Sequence, residues 1–235
     1  MTIAEKITRA KTDYDEVYEA GKQAEYDAFW DAFQQNGTRK FYVGGFCGQG
    51  WDRYTLRPKY IVKPSSGSTG SAFMFMFCNH GKEMIDFREI AHLFDFSDIT
   101  NALSMFQDAW IDYIEIDISN VTSTGNMFSE SYFSGAKTTI TLTTSEKTAI
   151  NSTMFAYTSK LANLTFTEGS VIGSSINLQY SPLNKESITS VVNALSATTT
   201  GQTATFKKSA KEAAFTADEW AALIATKSNW TISLI

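Results

Sequence analysis

Four carboxylates fall close together near the middle of the chain, Asp95, Asp98, Glu115 and Asp117, and paired carboxylates are the equipment of glycoside hydrolysis. Such chemistry needs one group to keep its proton near neutral pH while its neighbour stays ionised, which takes a desolvated or like-charged setting. The flanking residues supply none. Glu115 and Asp117 alternate with Ile114, Ile116 and Ile118, the pattern of acids on the wet face of a strand. Cys78-Asn79-His80 sets a thiol beside an imidazole, but catalytic partners meet through the fold, and near neighbours in sequence seldom aim at one another. Gly44-Gly45, Gly48 and Gly50 invite a phosphate-loop reading, yet no Gly-Lys-Ser/Thr closes the stretch and no helix start follows it. Cys47 and Cys78, with only His80 and His92 besides, lack the number for a disulfide framework and the spacing for a metal site. The expectation is a non-enzyme with no catalytic, cofactor or metal residues.

What organises these residues is a repeat. Asp95-Phe-Ser-Asp-Ile-Thr-Asn-Ala-Leu-Ser-Met-Phe106 returns as Asp117-Ile-Ser-Asn-Val-Thr-Ser-Thr-Gly-Asn-Met-Phe128, beginning 22 residues later. A unit of this size cannot bury its apolar face alone, so copies stack and shield one another. Met-Phe pairs recur at Met105-Phe106, Met127-Phe128 and Met154-Phe155, and each precedes a short alternating run: Tyr113–Ile118, Thr139–Leu142, Leu161–Phe166, then Ile176–Leu178. These runs have the period of half-buried strands. One per coil would build a parallel sheet on one side, with the Met-Phe pairs filling the interior opposite. Trp110, Tyr132, Phe133, Tyr157 and Tyr180 fall at the turns, where they either crowd the surface or, as is commoner for such residues, are buried.

Upstream, apolar or small residues fall at Ile3, Ile7, Ala10, Tyr14, Val17, Gly21, Ala24 and Ala28, a strict alternation of four and three steps that predicts a helix with a coiled-coil seam. Thr2 and Glu5 have capping-box spacing, and a helix over residues 2–35 would be roughly 50 Å long at about 1.5 Å per residue. The seam suggests self-association through Ile3, Ile7, Ala10, Tyr14, Val17, Ala24 and Ala28; the alternative is an amphipathic helix packed on its own chain. Residues 38–71 read as a Gly-rich neck and polar linker, ending in Ser65-Ser-Gly-Ser-Thr-Gly-Ser71. Residues 72–235 then form the repeat body, opening on the apolar run Phe73–Phe77 and closing in a helix-strand cap from about 181. In that cap Ser181-Pro182 predicts one helix start, Thr216 and Glu219 a capping box, and Trp230–Ile235 a last strand.

Composition narrows the partners. A net charge of −5 with no run of Lys and Arg argues against nucleic acid. No run of about 18 apolar residues occurs, so membrane insertion is not expected, and the N-terminus lacks the pattern of a secretory signal.

The repeated Asp-Φ-Ser-Asn/Asp-Ile/Val-Thr-x3-Asn/Ser-Met-Phe phrase resembles the degenerate leucine-rich repeats of BspA-like bacterial surface proteins. The stretch from Leu164-Thr-Phe-Thr-Glu-Gly-Ser-Val-Ile-Gly173 to Ser181-Pro-Leu-Asn-Lys-Glu-Ser-Ile-Thr-Ser-Val-Val-Asn-Ala-Leu195 resembles a subset encoded by phages and prophages of gut bacteria. Tyr26-Asp-Ala-Phe-Trp-Asp-Ala-Phe-Gln-Gln-Asn-Gly37 is similar to the helix ending of that subset. The resemblance implies an α+β chain: an N-terminal helix, then a short leucine-rich-repeat-like solenoid with parallel strands and a helix-strand cap. It further implies a virion structural protein, a fibre, spike or decoration subunit assembled in the bacterial host. Expected partners are other copies of the chain, a trimer being compatible with the seam, other virion proteins, and a host-surface glycan or protein met by a face that includes Glu115 and Asp117. The competing readings are an exported cell-surface adhesin and a glycan-acting solenoid enzyme. Few leucines at the signature positions and the missing signal pattern set this chain apart from the exported proteins.

Overall fold

The computed structural model describes residues 84–88, 91, 94–133 and 137–235, together with helical backbone at Gly21 and Ala24. The rest of the expected N-terminal helix, the neck at 38–71, the Phe73–Phe77 run, Cys78 and His80 lie outside the described residues. The described chain is a mixed α/β structure whose strands all pair in parallel. In chain order the elements are β1 (Ile85–Asp86), β2 (Trp110–Asp117), β3 (Tyr132–Phe133), β4 (Thr139–Thr143), β5 (Asn163–Phe166), β6 (Ile176–Leu178), α1 (Lys185–Ala194), β7 (Gln202–Phe206), α2 (Lys208–Ala214), α3 (Ala217–Ala225) and β8 (Trp230–Leu234).

The first sheet runs β1-β2-β4-β5, with the short β3 beside the start of β2. Alternation decides which way each strand faces: Ile114 and Ile116, Ile140 and Leu142, and Leu164 and Phe166 point into the core, leaving Glu115, Thr141 and Thr165 on the other face. The register carries the history of the repeat. Trp110 pairs with Tyr132 and Ile111 with Phe133, at the spacing of the repeated phrase, but Tyr113 then pairs with Thr139. The pairing offset thus grows by four residues between Phe133 and Thr139, and the alternation is in step again from Thr139.

Parallel strands need a crossover, and here it is a stack of turns carrying the Met-Phe pairs. Amide N–H groups of Ala102, Ser104, Phe106 and Asp108 donate to the carbonyls of Ser123, Gly125, Met127 and Ser129 at 2.8–2.9 Å; Phe128 and Glu130 donate in the same way to Met154 and Ala156. Segments 95–106 and 117–128 thus lie in adjacent layers. Inside, Phe106, Phe128 and Phe155 form a column with centroid separations of 5.4 and 5.6 Å, and Phe87 meets Phe106 edge-on at 5.4 Å. All four rings are buried, each contributing on the order of 1.5–3 kcal/mol by leaving water. Hydroxyls take up the carbonyls that the corners would strand: Ser131 donates to Phe106, Thr138 to Ile111, Thr148 to Ile118 and Thr124 to Ala149.

After β5 the same two sides exchange roles. β6 continues the turn side: the Thr158 and Ser181 hydroxyls are 2.7 Å apart, and the Tyr157 and Tyr180 rings 4.8 Å. Helix α1 takes the place of the next strand beside β5. Its Ser187 hydroxyl accepts from the Leu164 N–H at 2.9 Å and donates to the Ala162 carbonyl at 3.1 Å, while Ser190 accepts from the Phe166 N–H at 2.8 Å. The exposed edge of a parallel sheet is thereby closed with side chains rather than backbone. Ile188, Val191 and Val192 complete the core on this side.

A second sheet, β6-β7-β8, then grows where the turns had been, with α1 as the crossover from β6 to β7 and α2 and α3 together as the crossover from β7 to β8. Ile176–Leu178, expected from its alternation to join the earlier runs in one sheet, pairs instead with β7 in this second sheet, and neither β7 nor α2 is marked by local pattern. Helix α1 starts later than the Ser181-Pro182 signal predicts. The N-cap is Asn184, whose side chain accepts from the Ser187 N–H, because the Ser181 hydroxyl is engaged by Thr158. The Thr216–Glu219 capping box and the closing strand are as the sequence predicts. Lys227 reaches back to the Asn193 and Leu195 carbonyls at the end of α1, where a cation is favoured. Burial there pushes the Lys227 amine below its ordinary value.

Candidate binding face

The outward face of the first sheet is built in rows by the register: Tyr113, Thr139 and Asn163; then Glu115, Thr141 and Thr165; then Asp117 and Thr143. It is a field of hydroxyls with acids at one side. Glu115 and Asp117 are both exposed there, yet each is occupied locally. Glu115 accepts from the Tyr113 hydroxyl at 3.0 Å, and Asp117 accepts from the Ser119 N–H at 2.8 Å as the strand turns away. Asp95 plays the same turn-closing part for the Ser97 N–H at 3.0 Å. Three of the four acids singled out in the sequence thus close turns or hold a neighbouring ring. Among the described residues no group of three or more His, Cys, Asp or Glu is placed to hold a metal ion.

The first edge of this face is charged and aromatic. Arg88 hydrogen-bonds both carboxylate oxygens of Asp86, at 2.9 and 3.0 Å from Nε, and its guanidinium lies 4.6 Å over the Tyr113 ring. The Arg88 hydrogen bonds hold the Asp86 carboxyl below the ordinary range. Burial, followed by the hydrogen bond to Glu115, raises the Tyr113 hydroxyl above its own. At the opposite edge α1 stands up beside β5, leaving an open groove of about 670 Å³ that includes Glu168, Ser170, Lys185, Glu186, Ser190 and Asn193.

A third feature lies at the corner where each Met-Phe turn passes into a strand. Trp110 stacks on Tyr132 at 4.4 Å, and the Lys160 amine sits 4.0 Å over the Tyr132 ring while donating to its hydroxyl at 2.6 Å. Tyr157 and Tyr180 pair in the next two layers. No protein-family model, curated protein or solved structure matches the chain.

Of the sequence-derived site residues, the structure places Glu115 and Asp117 side by side on one face. Of the seam Ile3, Ile7, Ala10, Tyr14, Val17, Ala24 and Ala28, only the helical Ala24 is among the described residues, and it is exposed. Of the five turn aromatics, for which burial is the favoured expectation, Phe133 is buried and Trp110 and Tyr180 half-buried, but Tyr132 and Tyr157 are exposed. The signal was present in the spacing, since Trp110 and Tyr132 are offset by the same interval as the repeated phrase.

No helix among the described residues is long and apolar enough to cross a membrane.

Proposed function

We propose that the chain is a non-enzymatic phage virion protein, a fibre, spike or decoration subunit. In this reading its leucine-rich-repeat-like solenoid presents a surface for host binding or particle assembly. The supporting observation is the layered construction itself: the repeated phrase lies in register, layer on layer, and keeps its polar residues on one continuous outer face. A catalytic reading would need carboxylates aimed at a shared point, whereas Glu115, Asp117 and Asp95 are engaged with their own neighbours. The resemblance of the repeat phrase and of residues 164–195 to phage-encoded BspA-like proteins points the same way. The N-terminal segment, residues 1–37, would anchor and oligomerise the subunit through its heptad-like seam.

Two measurements test this. Mass spectrometry of particles purified from a producing host should recover the chain at a fixed stoichiometry; its absence from particles and presence on intact cells would transfer it to the adhesins. Light scattering of the full chain should give a concentration-dependent oligomer that is lost on removing residues 1–37. A chain that is monomeric at every concentration removes the self-assembling fibre.

A further inference from the structure

The two sheets end differently. Serines of α1 close the open edge of β5, but β8 has β7 on one side and, among the described residues, no strand on the other. The Ile235 N–H donates to the Phe206 carbonyl at 3.0 Å and its carbonyl accepts from the Lys208 N–H at 2.6 Å, so by alternation Thr231 and Ser233 also face β7. The N–H and C=O groups of Ile232 and Leu234 therefore point away from the sheet. Edge strands that stay single are guarded by charges, proline or a bulge. Trp230-Thr-Ile-Ser-Leu-Ile235 has none of these, and its register with β7 runs unbroken from Trp230 to Leu234.

The helix beside it is equally unguarded. Five residues of α1 are buried, whereas α3 buries only Trp220. That ring packs on Phe206, which pairs with Leu234, so α3 lies on the face of the sheet that carries the Ile232 and Leu234 side chains. There Ala221, Ala222 and Ala225 are exposed, and Leu223 and Ile224 half-buried. No charged residue occurs from 220 to 226 or from 228 to 235, and the Lys227 amine between them is turned onto the Asn193 and Leu195 carbonyls. A terminal layer that faces water needs a polar outer side. This one presents an uncharged strand and a largely apolar helix.

We propose that β8 pairs antiparallel with β8 of a second copy of the chain, about a two-fold axis at Ser233. The outward groups dictate this register: Ile232 of each copy exchanges both hydrogen bonds with Leu234 of the other. Ser233 then meets its own counterpart in the non-hydrogen-bonded pair, where the strands come closest and a small side chain fits, and Thr231 lies opposite Ile235. None of these pairs sets like charges against each other. A second copy is favoured over any other extended segment because the strand supplies both halves of the match, its open donors and acceptors being symmetric about its own Ser233. The axis stands perpendicular to the sheet, so both α3 helices come to one face and β6-β7-β8 continues through both copies. This contact is separate from the seam expected at residues 3–28 and does not depend on the virion reading.

Hydrogen exchange of the full wild-type chain at low and high protein concentration reads this register directly. The Ile232 and Leu234 amides should exchange freely when dilute and slow by about tenfold or more when concentrated, while those of Thr231 and Ser233, which face β7, stay protected at both. In the full chain, Ser233→Cys should join to itself across copies on oxidation, recovered as a linked 233–233 peptide by mass spectrometry, and Thr231→Cys should not. Ser233→Lys sets two ammonium groups face to face and should lower the light-scattering mass at high concentration by about twofold or more. The inference is overturned if the Ile232 and Leu234 amides exchange at one rate at both concentrations, or if they slow while Thr231→Cys links to itself in place of Ser233→Cys. A chain found in particles whose Ile232 and Leu234 amides stay open removes this contact and leaves the virion role standing; a chain absent from particles that shows the 233–233 link does the reverse.

Discussion

Between residues 94 and 166 the sheet lies on one side of the core and tight turns on the other; between 172 and 235 strands replace the turns and helices replace the sheet. Both regions advance by one layer per pass and bury the same kind of interior. In the first, the Phe106, Phe128 and Phe155 rings stack nearly parallel. In the second, Phe206 and Phe215 pack around Trp220 at 6.0 and 5.6 Å. The contrast teaches that the layer, rather than any one secondary structure, is the repeating unit. What must be kept from layer to layer is an apolar filling and a partner for every edge amide; a strand and a serine-bearing helix satisfy the second condition equally well.

The largest perturbation is Phe128→Ala. This ring sits in the middle of the column with a neighbour on each side, and its truncation should cost about 3–5 kcal/mol. Urea denaturation followed through tryptophan fluorescence also tests whether the two regions are one cooperative unit. If Trp220 and Trp230 keep their wild-type midpoint in this variant, the second region folds alone.

Ser187→Ala strikes the boundary itself. It strips the partner from the Leu164 N–H, while the Ala162 carbonyl keeps the Asn184 N–H, so a loss of about 1–3 kcal/mol is expected. Hydrogen exchange should show the Leu164 amide losing protection while the Ile140 amide, one strand inward, keeps it. Equal loss at both would mean that α1 holds the whole sheet and not only its edge.

Smaller effects belong to the helical side. Thr216→Ala removes the oxygen that accepts from the Glu219 N–H at 3.2 Å and should lower stability by about 1 kcal/mol. Smallest is the acid dependence of Glu219. The hydrogen bond from Lys185, and after it those from Thr216, draw its carboxyl down to about 2. A folded value below the unfolded one means that the stabilisation is complete above pH ~4.5 and fades as pH falls toward 2. Because both side chains are about half exposed, the effect is slight. Lys185→Met should flatten this part of the acid limb, as read by thermal melts at pH 2 to 5.

The parts of this architecture that were legible in the sequence are those set by local pattern. Met105-Phe106, Met127-Phe128 and Met154-Phe155 announced the buried column, the alternating isoleucines announced β2, and Thr216 with Glu219 announced α3. What was hidden depended on contacts between layers. Ser187 and Ser190 look like ordinary polar residues on a helix until β5 is known to lie beside them. Ser181 looks like an N-cap until Thr158 takes its hydroxyl. Gln202–Phe206 is a weak strand in isolation and is fixed by β6 and β8 on its two sides. Helix α2 has no side-chain cap at Lys207 to mark its start. The aromatic corner was half legible: the interval from Trp110 to Tyr132 was readable, but the left-handed backbone at Tyr157 was not.

The most direct trial of the layered arrangement is an amide nuclear Overhauser spectrum of the labelled protein. Cross-peaks should link Phe106 to Met127 and Phe128 to Met154 on the turn side, and Glu115 to Thr141 and Thr141 to Thr165 on the sheet side, all in parallel order. Cross-peaks confined within 95–106 and within 117–128, or an antiparallel order between them, would contradict the account.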